Sequence, residues 1–240
     1  MIDSLLRFNR FFERQSLYPI LLSSVLALSM YVVRVVYYES AWVIYANLVW
    51  NLVLAWVPYL FSLLAAALHT LFPRRGWLLV FPGLIWLAFF PNAPYILTDF
   101  LHLTVRADVP IWYDNLLLVS FSWTGIFLAM ASLRTMQSLV KAHLGGLVSW
   151  FFVAITLGLT GLGIYLGRFE RWNSWDLVFH HEKILADIAR RFADPLDNLH
   201  FFGFTLFFIA FLAVCYLMFI SVGRTEEPAA PRTHPIRRKV

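Results

Sequence analysis

Between residues 17 and 222 the chain carries a succession of apolar runs for which water alone is an unsuitable solvent. They cover about 17–38, 41–72, 76–98, 115–133, 145–166 and 201–222. A hydrocarbon core of roughly 30 Å is crossed by about 20 apolar residues in a helix. Backbone amides find no water there, so such a run satisfies them by coiling into a helix. The expectation is an all-α polytopic membrane bundle of about six transmembrane helices, with residues 17–222 as one membrane domain. Composition agrees: 60% of residues are hydrophobic and 14% charged, where soluble domains carry roughly 45–50% and 25%. The first run exceeds a signal-peptide core of about 7–15 residues and ends in Val35-Val36-Tyr37-Tyr38, without a small-residue cleavage site, so it reads as a retained helix. Arg34, within a turn of its end, is expected to snorkel outward.

The flanks are basic. Residues 1–16 place Arg7, Arg10 and Arg14 among Leu5, Leu6, Phe8, Phe11 and Phe12, an amphipathic segment suited to cytoplasmic headgroups. Residues 223–240 hold Pro228, Pro231, Pro235 and Arg237-Arg238-Lys239 and read as a disordered basic tail. With six spans both termini share one side. That side holds 12 of the 19 Lys and Arg residues, leaving 7 opposite, and 4 of the 14 acids, leaving 10 opposite. Cytoplasmic loops are the positive ones. The charge pattern therefore predicts a multi-pass cytoplasmic-membrane protein with both termini inside and the polar, acid-rich face outside. The net charge of +5 follows from this distribution and is no nucleic-acid signal; the partner implied is the bilayer, and oligomeric state stays open. Cys215, the single cysteine, lies in an apolar run and excludes an intramolecular disulfide.

Run 41–72 would measure roughly 48 Å as one helix, so it tilts, bends at Pro58, or begins outside the core near Asn47 and Asn51. Run 115–133 is expected to close at Arg134, with Lys141 and His143 in the next turn; Ser120, Ser122, Thr124 and Gly125 mark a protein-facing side. The pairs Ala154/Gly158 and Gly163/Gly167 are small residues four apart, suited to close helix approach.

Two polar stretches break the apolar pattern. Run 76–98 meets Pro91-Asn92-Ala93-Pro94-Tyr95 only about 21 Å along its helix, short of a full crossing. Each proline removes a backbone donor and clashes with the turn before it. The carbonyls so released need protein or a water-filled cavity around them. Asn92 is placed to satisfy some of them. A structural kink and a ligand-lining break are equally compatible with this pattern. Asp99 is expected at or beyond the outer headgroups. The second stretch, Gly167–Asp176, packs Arg168, Arg171, Trp172, Asn173, Trp175 and Asp176 into a short link. An amphipathic interfacial helix follows at 177–192, with Leu177, Ile184, Leu185, Ile188 and Phe192 on one face.

Candidate chemistry lies in these stretches. Asp99 and His102 are spaced i, i+3, and Asp176 and His180 i, i+4, so each pair shares a helix face. Together they could serve as acid and base, or ligate a divalent metal such as zinc; nothing in the sequence fixes a cofactor. The plainer readings are a helix N-cap for Asp176, a solvated His180, and Asp99 paired with Arg106 or Arg168. Asn92, Tyr95, Arg168, Arg171 and Asn173 are candidate substrate-binding residues, the arginines for an anionic lipid or lipid-linked group. No His-Glu-x-x-His motif occurs.

Phe90-Pro91-Asn92-Ala93-Pro94-Tyr95-Ile96-Leu97-Thr98-Asp99, Trp112-Tyr113-Asp114 and Tyr165-Leu166-Gly167-Arg168-Phe169, continuing to Arg171-Trp172-Asn173-Ser174-Trp175-Asp176, resemble the DUF1361 family. The resemblance implies a bacterial integral membrane protein and supplies no activity, ligand or catalytic residue. Three functional readings follow. One is a membrane-embedded enzyme acting at the outer leaflet on a lipid or lipid-linked substrate, which requires His102 and Asp176 to approach each other within about 10 Å. The second is a small-molecule transporter, disfavoured because no Asp or Glu interrupts an apolar run. The third is a non-catalytic scaffold or assembly protein.

Overall fold

The computed structural model describes residues 9, 11–13, 15–37, 41–103, 109–172 and 176–222, without the side chains of 41–45, 102, 177 and 178. The helices are α1 (Leu17–Tyr37), α2 (Ala41–Leu71), α3 (Val80–Phe89) after a 3-10 turn at Gly76–Leu79, and a short α4 (Asn92–Tyr95). A 3-10 segment, Ile96–His102, prolongs α4. Then come α5 (Ile111–Leu144), α6 (Gly146–Phe169), α7 (Asp176–Phe179), α8 (His181–Ala193) and α9 (Leu199–Val222). Among the described residues, six stretches are long and apolar enough to cross a membrane. The chain is an all-α polytopic helix bundle and a multi-pass membrane protein.

The bundle is built around α5. Two thirds of its apolar window (67%) is buried, against 22–39% in the other spans, so α5 is the helix the others pack on. It touches α1, α2, α6, α9 and the broken segment 92–102. The face marked by small polar residues is the one that packs: Ser122, Thr124 and Gly125 are buried, Ser120 only half so. Buried hydroxyls turn back onto their own helix or across to a neighbour. Thr124 bonds the Ser120 carbonyl at 2.8 Å and meets the Ser23 hydroxyl of α1 at 2.5 Å. Such bonds substitute for the water that hydrocarbon lacks.

Contrary to the sequence expectation, α5 does not close at Arg134. It runs on through Lys141 and His143 to Leu144 and stops where Gly145 takes φ +88°. Arg134 is exposed, so its charge needs no chain reversal to escape the bundle. At 34 residues α5 is about 51 Å long and outreaches the hydrocarbon. Its last turn meets the end of α2, where His143 Nε2 lies 3.2 Å from His69 Nδ1.

Arg34 does not snorkel. It is fully buried and pairs with Asp114 of α5, Nε to Oδ1 at 2.7 Å and Nη2 to Oδ2 at 3.3 Å. A guanidinium is tolerated out of water when a carboxylate matches its fork on two atoms. The bridge ties the end of α1 to the start of α5.

Of the two pairs the spacing suggests, Ala154/Gly158 makes no close approach. Gly158 has open space around it, and Ala154 is exposed. The contact between α6 and α9 is made at Gly161, where a Cβ would stand 3.0 Å from the Thr205 carbonyl oxygen and 2.8 Å from Ile209 Cγ1.

Candidate functional site

The site begins with the proline break, which the surrounding helices hold through glycine and side-chain hydrogen bonds. Pro91 and Pro94 interrupt the ladder after α3, and the chain continues as α4 and a 3-10 segment without unwinding. The Phe90 carbonyl, which Pro94 cannot serve, takes the Ala93 amide at 3.2 Å. Asn92 Nδ2 donates to the Phe89 carbonyl at 3.1 Å. Thr98 Oγ1 donates to the Tyr95 carbonyl at 2.7 Å, and Ser122 of α5 to the Ile96 carbonyl at 3.4 Å. Arg168 donates to the Thr98 carbonyl. Five carbonyls across the irregular stretch thus have partners, four from side chains, as a buried backbone requires.

Glycines let this stretch sink between two helices. A Cβ at Gly125 would stand under 3.0 Å from the Ala93 carbonyl oxygen. At Gly163 it would meet Pro91 at 3.2 Å, and at Gly167 the Tyr95 ring at 3.2 Å. The pair Gly163/Gly167 therefore serves the break itself.

Asp99 is enclosed by protein. It is 6% exposed and accepts from Asn51 Nδ2 of α2 at 2.9 Å; Arg168 Nη1 of α6 approaches it at 3.4 Å. The pairing with Arg168 is one of the two weighed from sequence. Arg168 also stacks over the Tyr95 ring, 5.6 Å from its centroid. Asp99 and Arg168 are thus mutually neutralised groups that pin the break to α2 and α6.

Against this polar wall lies a cavity of about 180 Å³. Its walls are Trp50, Asn51 and Leu54 of α2, Ala88 and Phe89 of α3, and Pro91, Asn92 and Tyr95 of the break. Gly163, Leu166 and Gly167 of α6, Trp172, and Ile184 of α8 complete it. Trp50 is 54% exposed, so one wall reaches the surface of the bundle. α8 reaches the cavity through Ile184, its only buried residue, which packs with Tyr165, Leu166 and Phe201. Arg191 fastens α8 to the end of α6 by an ion pair to Glu170, and Asp187 of its own helix holds the guanidinium in place. Burial works against the Arg191 charge, but the hydrogen bond and charge of Asp187, with Glu170, outweigh it and raise its pKa above the ordinary value.

The link after α6 is also shaped for this cavity. Arg171 is exposed and takes φ +59°, a left-handed conformation a non-glycine residue rarely adopts. The turn it makes returns the Trp172 amide to the Leu166 carbonyl at 3.2 Å, so Trp172 closes the cavity.

The remaining candidates are placed as follows. Asp176 Oδ1 and His180 Nδ1 are 3.1 Å apart at the junction of α7 and α8, with His180 about half exposed and its ring 6.2 Å from that of Trp172. The interfacial helix expected over 177–192 is broken at His180 into α7 and α8. Asn173 and the His102 side chain lie outside the described residues, as does the expected approach of His102 to Asp176. Among the described residues, no group of three or more His, Cys, Asp or Glu side chains could hold a metal ion. The structure brings Asn92, Tyr95, Asp99 and Arg168 together; Arg171 stands apart on the surface. Sequence reasoning missed Asn51 and Ile184 as site residues. Asn51 was legible only as an amide in an apolar run, and Ile184 only as part of an apolar face.

Neither a curated protein nor a solved structure matches the chain. The family model described as "Protein of unknown function (DUF1361)" matches residues 50–215, which is 166 of the 240 residues and takes in the break, the cavity and α8. The chain belongs to the DUF1361 family.

Proposed function

We propose that this membrane protein binds a lipid or lipid-linked molecule in the cavity beneath α8, with the ligand entering from the bilayer beside Trp50. One observation carries the reading: the proline break, Asn51, Asn92 and the aromatic walls converge on a single cavity whose Trp50 wall is exposed. Ligand pockets combine apolar walls with a few placed polar groups in this way. The excess of Lys and Arg on the terminal side supports an outward-facing site in a cytoplasmic membrane, with both termini inside. Arg168 is engaged by Asp99 and Thr98, and in this reading its part is to position the break.

A photoreactive benzoylphenylalanine at position 172, in protein kept in its native membrane, tests the reading. The expected result is a defined lipid adduct there. The same group at position 151, on the exposed side of α6, should sample bulk lipid. The same bulk pattern at both positions would overturn it.

A second reading, an enzyme acting on that ligand, is favoured by the Asp176–His180 contact. The carboxylate orients the imidazole through Nδ1 and leaves Nε2 as a general base beside Trp172. His180→Ala would then leave the ligand bound and remove turnover of it; loss of binding with no turnover in either protein would refute the catalytic role.

A further inference from the structure

We infer that the cavity selects a neutral polyhydroxyl headgroup, such as the sugar of a glycolipid, over phosphate-bearing or quaternary-ammonium headgroups. The inference rests on the lipid-binding reading above and specifies the chemistry of the ligand's polar end.

Charge is the first argument. Among the described residues, none that lines the cavity is charged. Behind the wall stands the charged pair Arg168 and Asp99, each engaged by the other. An anion entering the cavity would find no uncommitted guanidinium in the wall, and the Asp99 carboxylate would sit just behind Asn51. A cation would meet the Arg168 guanidinium already stacked on Tyr95. A desolvated anion lacks a positive partner here, and the attraction of a cation to the ring faces is opposed by the Arg168 guanidinium on Tyr95, so both classes are disfavoured.

Hydrogen-bond direction is the second. A carboxylate only accepts, so Asn51 must turn its NH2 group to Asp99. With the NH2 group committed to Asp99, the group Asn51 retains for a ligand is its carbonyl oxygen, an acceptor suited to a hydroxyl or N–H donor. Asp99 thus fixes the orientation of an amide that would otherwise be free to flip.

The third argument is shape. Trp50, Phe89, Tyr95 and Trp172 surround the space with ring surfaces, and the Trp and Tyr rings carry neutral donors at their edges. The C–H faces of a sugar ring pack on such surfaces while its hydroxyls bond amides and ring N–H groups. The volume of about 180 Å³ exceeds the roughly 150 Å³ of a cavity that accepts a benzene ring, and so has room for one ring-sized group.

Chain-matched probes test this: octyl glucoside, octyl phosphate, octyltrimethylammonium and octanol. Binding is read by native mass spectrometry of the full chain in an amine-oxide detergent, which contains no sugar. The expected result is octyl glucoside bound about tenfold more tightly than the two charged probes. Asn51→Leu should erase that preference while octanol still binds. Trp172→Leu, in the link after α6, gives a second check should Asn51→Leu fail to fold. Equal binding of all four probes would overturn the sugar preference and leave the lipid cavity standing. Preference for either charged probe would overturn it too. Binding of none would remove both readings.

Discussion

Gly125→Ala probes the way the proline break is held more directly than any change to the prolines. The added methyl would stand under 3.0 Å from the Ala93 carbonyl oxygen and 3.1 Å from Ile96 Cδ1. The first obstacle is backbone, and a short helical turn between two prolines has no rotamer with which to yield. The break must move away from α5, and the Ser122 bond to Ile96, already 3.4 Å, would lengthen with it. Overpacking of this kind costs about 1–3 kcal/mol, against about 1 kcal/mol gained from replacing glycine by alanine in a helix. The net expectation is a loss of up to about 2 kcal/mol, or up to roughly 8 °C in melting temperature for a chain of this size. Gly158→Ala on α6 is the matched control, because nothing lies within 4 Å of its new methyl. It should be neutral or slightly stabilising. Thermal unfolding of both variants in one detergent decides the matter. If Gly125→Ala melts with Gly158→Ala, the break is not wedged against α5 as described.

Other consequences concern the buried charges and the covering helix. Asp99→Ala should cost about 3–5 kcal/mol by leaving Arg168 buried without its carboxylate, and Asp99→Ala/Arg168→Met should recover most of that; additive losses in a double-mutant cycle would refute the coupling. Arg171→Gly should raise stability by roughly 1 kcal/mol through relief of the left-handed backbone; a loss would show that the Arg171 side chain makes a contact that matters more. Ile184→Ser should loosen α8 alone, seen as faster amide exchange over 181–193 with the membrane spans unchanged; unchanged exchange in α8 would mean that Ile184 does not anchor it.

How far the sequence disclosed these features depended on whether the cause was local. The spans were legible because hydrocarbon imposes helices on any apolar run of sufficient length. The break was legible because prolines act on their own turn, and the cap by Asn92 on Phe89 lies three residues back. Arg34 was misread because its carboxylate lies 80 residues away; its nearness to a helix end suggested water as the partner. The ends of α5 were misread because a charged residue can leave the bundle sideways, as Arg134 does, without ending the helix. Small residues four apart permit close packing but do not state their partner, so Gly158 and Gly163 looked alike. Asn51 became a site residue only when the fold brought it to Asp99, 48 positions on. No local pattern carries that information.

The most direct test of the account is whether Ala88, in the wall of the cavity, can be replaced by a residue that fills it. Wild-type protein and Ala88→Phe would be extracted mildly from the same membranes and weighed by native mass spectrometry, with melting temperatures measured in parallel. The account predicts one lipid or lipid-linked molecule retained per wild-type chain and lost from Ala88→Phe, with no fall in stability, because the ring occupies space the ligand would otherwise fill. A wild-type chain that carries no such molecule, or an Ala88→Phe chain that keeps it, would contradict a ligand site at the proline break.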